Sequence, residues 1–184
     1  MKKVIFTLFV VIVSFHLQAQ DELFVKGDKV INLGVGFGNI GWGSGYSSTL
    51  LPISGSFEVG VKDNVFDEGG SIGVGGLIGY AGYKYELPGW EWKYTDLILA
   101  VRGNLHYPLV NKLDTYAGVA IGYEIVSFKE SGDNNLPDYY DAVGSSAFFG
   151  LTAGARYYFT DNFAAMGELG YGITWLTLGV AFKL

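Results

Sequence analysis

The chain has 184 residues, no cysteine, two histidines, and 12 basic against 18 acidic side chains. Without a thiol there can be no disulfide framework, lipidated cysteine, thiolate metal site or thiol nucleophile. An acidic chain also lacks the clustered Lys and Arg that phosphate backbones require, which argues against nucleic acid as a partner.

The first element is a leader. Met1-Lys2-Lys3 precedes an uncharged run from Val4 to Phe15 and then Leu17-Gln18-Ala19-Gln20, the layout of a secretory signal peptide. A spanning helix needs about 20 apolar residues, and this run is far shorter. Residues 1–20 are therefore expected to be a signal peptide cleaved after Ala19 or Gln20, leaving 21–184 as one domain. Its loss removes Lys2 and Lys3 but no acid, so ten basic and eighteen acidic residues remain, a net charge of −8.

The full chain has 28 glycines with 13 Tyr, 13 Phe and 4 Trp, and after the leader it shows no apolar stripe of helical period, so strands are expected throughout. Period-two reading places them near 29–39, 51–62, 71–84, 94–107, 115–128, 145–159, 163–171 and 174–184. Alternate positions form uncharged, apolar faces: Ile31, Leu33, Val35 and Phe37 in the first strand, Leu97, Leu99, Val101, Leu105 and Tyr107 in the fourth, Leu176, Leu178, Val180 and Phe182 in the last. The opposite faces carry Asn32, Glu58, Arg102, Asn104, Glu124, Arg156 and Glu168 among glycines and small residues. A soluble barrel reverses this polarity, with an oily interior and charges outside. The pattern predicts an all-β, eight-stranded antiparallel up-and-down transmembrane β-barrel with a polar lumen and both termini at the periplasmic end.

Threaded up and down, the strands put Phe37, Tyr80, Tyr123 and Tyr171 at the outer level and Tyr107, Phe159, Phe163 and Phe182 at the inner one, two aromatic girdles. Outer loops are expected at 39–50, 86–93 and 129–144, with a tight inner turn at Thr160-Asp161-Asn162. Two connections depart from the usual asymmetry: the inner 62–70 is long, and the outer one at Gly172-Ile173 is nearly minimal, with the glycine placed as a type II′ turn wants it.

The run Gly154-Ala155-Arg156-Tyr157-Tyr158-Phe159-Thr160-Asp161-Asn162-Phe163, followed by Glu168-Leu169-Gly170-Tyr171-Gly172, resembles the small outer-membrane β-barrels of the porin-like, OmpA/OmpX-like group. The resemblance spans the mature chain. It implies residence in the outer membrane among its lipids and insertion by the barrel assembly machinery. That machinery commonly reads a terminal aromatic, whereas this chain ends in Leu184 with Phe182 two positions before it.

The chemistry expected is sparse, with no catalytic residue, cofactor or metal. Glu58, Arg102, Glu124, Arg156 and Glu168 share the inward parity, and a barrel of eight strands is filled by its own side chains. They are expected to pair as a lumen network that plugs the barrel. A small porin, using the same charges as a pathway for ions or small solutes, is the alternative. His106 is the one histidine of the mature chain and has no serine near it in sequence, so a solvated or girdle position is expected rather than a lipid-modifying enzyme's. The acids of 131–141 fit no EF-hand spacing, and Gly73-Val74-Gly75-Gly76 alternates within a strand rather than opening a helix. Trp42, Trp90, Trp92, Tyr139 and Tyr140 are candidate loop contacts to an extracellular ligand or protein. A monomer with a structural or surface-interaction role is the reading.

Overall fold

A computed structural model describes residues 23–38, 47–66, 69–88, 90–132 and 140–184; the leader lies outside them. Eight strands follow in chain order: β1 (Lys29–Phe37), β2 (Ser47–Lys62), β3 (Ser71–Leu87), β4 (Trp90–Val110), β5 (Leu113–Gly132), β6 (Tyr140–Tyr158), β7 (Phe163–Tyr171) and β8 (Leu176–Lys183). Each pairs antiparallel with the next, and β1 pairs with β8 from Val30↔Lys183 to Phe37↔Leu176, closing the barrel. Closure removes the sheet edges along the span where all eight strands pair, which hydrocarbon requires; toward the outer end β2 before Ile53 and β6 before Leu151 run past their partners β1 and β7. We call the end holding Leu23 and Leu184 the inner end.

The pleat turns the alternation of the sequence into two surfaces. Outward-facing Val101, Ile121 and Leu169 are 65, 64 and 63% exposed, whereas Arg102 and Arg156 on the other parity are buried. An apolar exterior around a charged interior is the build of a membrane-spanning barrel. At the inner end an aromatic band continues from strand to strand, with ring centroids 5.4 Å apart for Tyr157 and Phe159, 6.1 Å for Phe159 and Phe163, and 5.3 Å for Phe163 and Phe182. Phe37, Tyr80, Tyr123 and Tyr171 are exposed toward the outer end.

The strands are less equal than the sequence suggests. A tilted crossing takes about 9–11 residues; β1, β7 and β8 have 9, 9 and 8, but β4 and β5 have 21 and 20. Most of the surplus lies at the outer end. The expected loop at 86–93 is instead a hairpin paired as far as Leu87↔Trp90. Its alternation simply continues through Tyr83, Tyr85, Trp92 and Tyr94, residues that favour strands, up to the turn at Pro88. The result is a wall of β3 to β6 standing beyond the apolar belt.

The connection of β7 to β8 also differs from expectation. It takes four residues, 172–175, rather than two, with Gly172 at φ 140°. The longer turn directs Ile173 and Thr174 toward the barrel axis: Ile173 packs on Ile98, Ala120 and Phe148, and Thr174 is buried. At the inner end, Asn111-Lys112 joins β4 to β5 with Lys112 at φ 65°, and the long 63–70 connection carries Asn64 and Phe66 at positive φ.

Candidate functional site

The lumen holds the densest chemistry of the molecule, and six strands contribute to it. Arg156 on β6 donates to Glu58 on β2, to Asp114 on β5 at 3.1 Å and to Asn32 on β1 at 3.0 Å. Arg102 on β4 donates to Glu168 on β7 at 2.7 Å and to Asn104 at 2.9 Å. The Asn104 amide then donates to Glu58 at 2.7 Å, joining the two arginine clusters. Tyr116 gives its hydroxyl proton to Glu168 at 2.7 Å, while its ring lies 4.6 Å under the Arg156 guanidinium.

His106 is not solvated. It is 1% exposed, with Nδ1 2.9 Å from Asp114 and Nε2 2.7 Å from Glu58. An ionised carboxylate has no proton to give, so both ring nitrogens act as donors and the ring carries a positive charge. Three cations, Arg102, Arg156 and His106, then face three carboxylates, Glu58, Asp114 and Glu168. This neutrality is what a layer withdrawn from water requires. Space for it comes from glycine. A Cβ at Gly73 would collide with the Glu58 carboxylate, and one at Gly154 would collide with the Tyr116 ring.

Glu124 does not join this layer. It lies nearer the outer end, opposite Ser146 in the β5–β6 register, and the Phe148, Ile98 and Ala120 cluster with Ile173, Leu77 and Ala100 intervenes. Two turns of the pleat separate Glu124 from Ala120, so its inward parity brought it to the lumen but to the wrong height. Conversely, sequence reasoning missed Asp114, which falls in a stretch read as a connection, and the buried role of His106. Both had a signal: His106 shares the parity of Arg102 and Asn104, and Asp114 that of Tyr116.

A second unexpected feature is the segment just after the leader. Phe24 is 3% exposed and stacks on His106 with ring centroids 4.2 Å apart, packing with Val30, Tyr158, Ala164 and Ala181 across the inner mouth. The chain is tied there from several sides. Ser71 donates to the Phe24 carbonyl at 2.6 Å, Lys183 pairs with Asp28 at 2.6 Å and donates to the Leu23 carbonyl at 3.1 Å, and Gly27 and Gly60 exchange backbone bonds with Gly60 and Asp28 at 2.9 Å. Between the ion layer and the Phe148–Ile173 septum remains a cavity of about 40 Å³, bordered by Ser54, Arg102, Thr152, Glu168 and Thr177.

No family model and no curated protein matches the sequence. Solved structures are similar in fold at low identity. The N-terminal β-barrel domain of Pseudomonas aeruginosa OprF is 15% identical with a TM-score of 0.45, covering 87% of this chain and 98% of its own. The attachment invasion locus protein Ail of Yersinia pestis is 12% identical, TM-score 0.45, covering 86% and 96%. Neisserial surface protein A is 14% identical, TM-score 0.44, covering 85% and 96%.

Of the candidate loop contacts, Trp92 belongs to β4, and its ring lies 5.8 Å from that of Tyr85 on the projecting wall. Tyr94 and Phe128 pair beside them at 5.2 Å. Trp90 opens β4 and Tyr140 opens β6. Trp42 and Tyr139 lie outside the described residues.

Proposed function

We propose that this protein is exported by cleavage of residues 1–20 and serves as a closed outer-membrane barrel with a structural or surface-interaction role. Its work is done at the outer rim, where the wall of β3 to β6 and the connections beyond it meet a ligand or another protein. The supporting observation is that the lumen is interrupted three times along its axis: by Phe24 and its neighbours, by the ion layer, and by the Phe148–Ile173 septum. A conducting pathway needs a continuous wet lumen, which disfavours the small porin. Catalysis is disfavoured because His106 is enclosed by carboxylates and the Phe24 ring.

Because the chain has no cysteine, single cysteines report which rim faces the medium. Glu86→Cys, on the wall, should react with a membrane-impermeant maleimide in intact cells, and Asp161→Cys, in the inner turn, should react only after the outer membrane is permeabilised. The reverse pattern would invert the barrel and remove the basis for an outer-rim role.

A further inference from the structure

The wall has a face turned toward the barrel axis, and strand parity carries onto it from the septum without a break. Ile98 on β4 and Ala120 on β5 belong to the septum, and the register of β3, β4 and β5 shows no shift between there and the hairpin tip. Asp96, Tyr94 and Trp92 on β4, Glu124 and Phe128 on β5, and Tyr83 and Tyr85 on β3 therefore share the inward parity. Asp96 and Tyr83 are buried, and the other rings are half-buried.

The face is layered by height. Glu124 lies opposite Ile98, level with the septum, and Asp96, opposite Val126, comes next. The register partners Tyr94 and Phe128 stand above with ring centroids 5.2 Å apart, and Tyr85 and Trp92 above those at 5.8 Å. Two carboxylates thus sit at the foot of an aromatic ladder.

Among the described residues no base shares this face. Lys84, Lys93 and Lys129 have the opposite parity, and the first two are engaged there by Glu86 and Glu91 at 2.7 and 2.8 Å. The rest of the outer sequence adds only acids: residues 130–144 contain Glu130, Asp133, Asp138 and Asp141 with no Lys or Arg, and residues 38–50 contain no charge. Carboxylates accept charge-assisted hydrogen bonds from a cation, and aromatic faces attract it through the ring quadrupole. A metal ion, which keeps a shell of oxygens, makes little use of rings, and the acids repel an anion. An ammonium group carried on an alkyl chain uses every part of the face. Asp96 and Glu124 are diagonal neighbours, roughly 7–8 Å apart at the backbone, a gap that two ammonium groups separated by a few methylenes span.

We propose that the inward face of the wall binds a linear polyamine, with ammonium groups on Asp96 and Glu124 and the methylenes and remaining charge against Tyr85, Trp92, Tyr94 and Phe128. The inference names a ligand class for the outer-rim role proposed above and rests on that reading for placing the site toward the medium.

The test titrates spermidine calorimetrically into the full mature chain folded in an uncharged detergent, at fixed ionic strength. Saturable binding is expected, with D96N/E124Q weakening it by about tenfold or more and Y85L/W92L by roughly fivefold. K84Q/K93Q/K129Q, on the opposite parity, should bind spermidine at least as tightly as the parent. Heat-modifiable migration shows which variants are folded, and Y85L/W92L decides the matter should the buried Asp96 not tolerate replacement. Absence of saturable heat with spermidine, parent-like affinity of folded Y85L/W92L, or binding of a lysine-rich peptide without binding of spermidine would overturn the proposal. Binding in micelles does not depend on orientation in the cell, so failure here is distinct from failure of the cysteine-labelling experiment.

Discussion

Arg156 is the most enclosed charge of the lumen, and its removal has a definite consequence. Arg156→Met takes from Glu58 and Asp114 one of the two cations that both of them contact and leaves His106 alone against two buried carboxylates. Breaking a buried pair in this way costs about 3–5 kcal/mol, so the unfolding midpoint of the detergent-folded barrel should fall clearly below that of the parent. Asp161→Asn, in the exposed inner turn, should leave it unchanged; equal midpoints would show that the network contributes nothing to closure. Phe24→Ala should cost about 3 kcal/mol through the cavity it leaves, read in the same unfolding assay, whereas a neutral outcome would mean the segment merely rests on the barrel. Four of the lumen residues, Glu58, Arg102, Arg156 and Glu168, were visible in the sequence because strand parity alone sends them inward. Phe24 was not, because it belongs to no alternating run and the place of its segment is decided by backbone and side-chain bonds to residues 32 to 160 positions away, such as Gly60 and Lys183.

At the scale of elements, the two longest hairpins carry the difference between what spans the membrane and what stands beyond it. Excising residues 84–93 and joining Tyr83 to its register partner Tyr94 through Asn-Gly, a two-residue turn suited to a hairpin, should leave a folded, heat-modifiable barrel, since the apolar belt ends below the cut. Loss of folding would make the wall part of the barrel's own stability. All eight strands were legible, because lipid on one side and a packed lumen on the other enforce strict alternation over every crossing. Their outer limits were not. Beyond the belt both faces meet water or loops, so polarity no longer marks where a strand stops and only turn residues such as Pro88 do. The turn at 172–175 escaped for the opposite reason: Ile173 looks like a strand residue, but its apolar side chain is satisfied by the septum rather than by lipid.

The whole molecule is a closed barrel whose lumen is crossed by side-chain layers and whose strands β3 to β6 stand taller than the rest. An ion layer of balanced charge lying between the Phe24 layer and the Phe148–Ile173 septum gives water no continuous path in the proposed reading, which leaves the outer rim as the place for binding. Planar-bilayer recording of the full mature chain tests this most directly. A closed lumen should show no steady conductance at any moderate applied voltage, with insertion confirmed independently by heat-modifiable migration of the same sample. A reproducible single-channel step from folded, inserted protein would contradict it and restore the arginines and carboxylates of the lumen as an ion pathway.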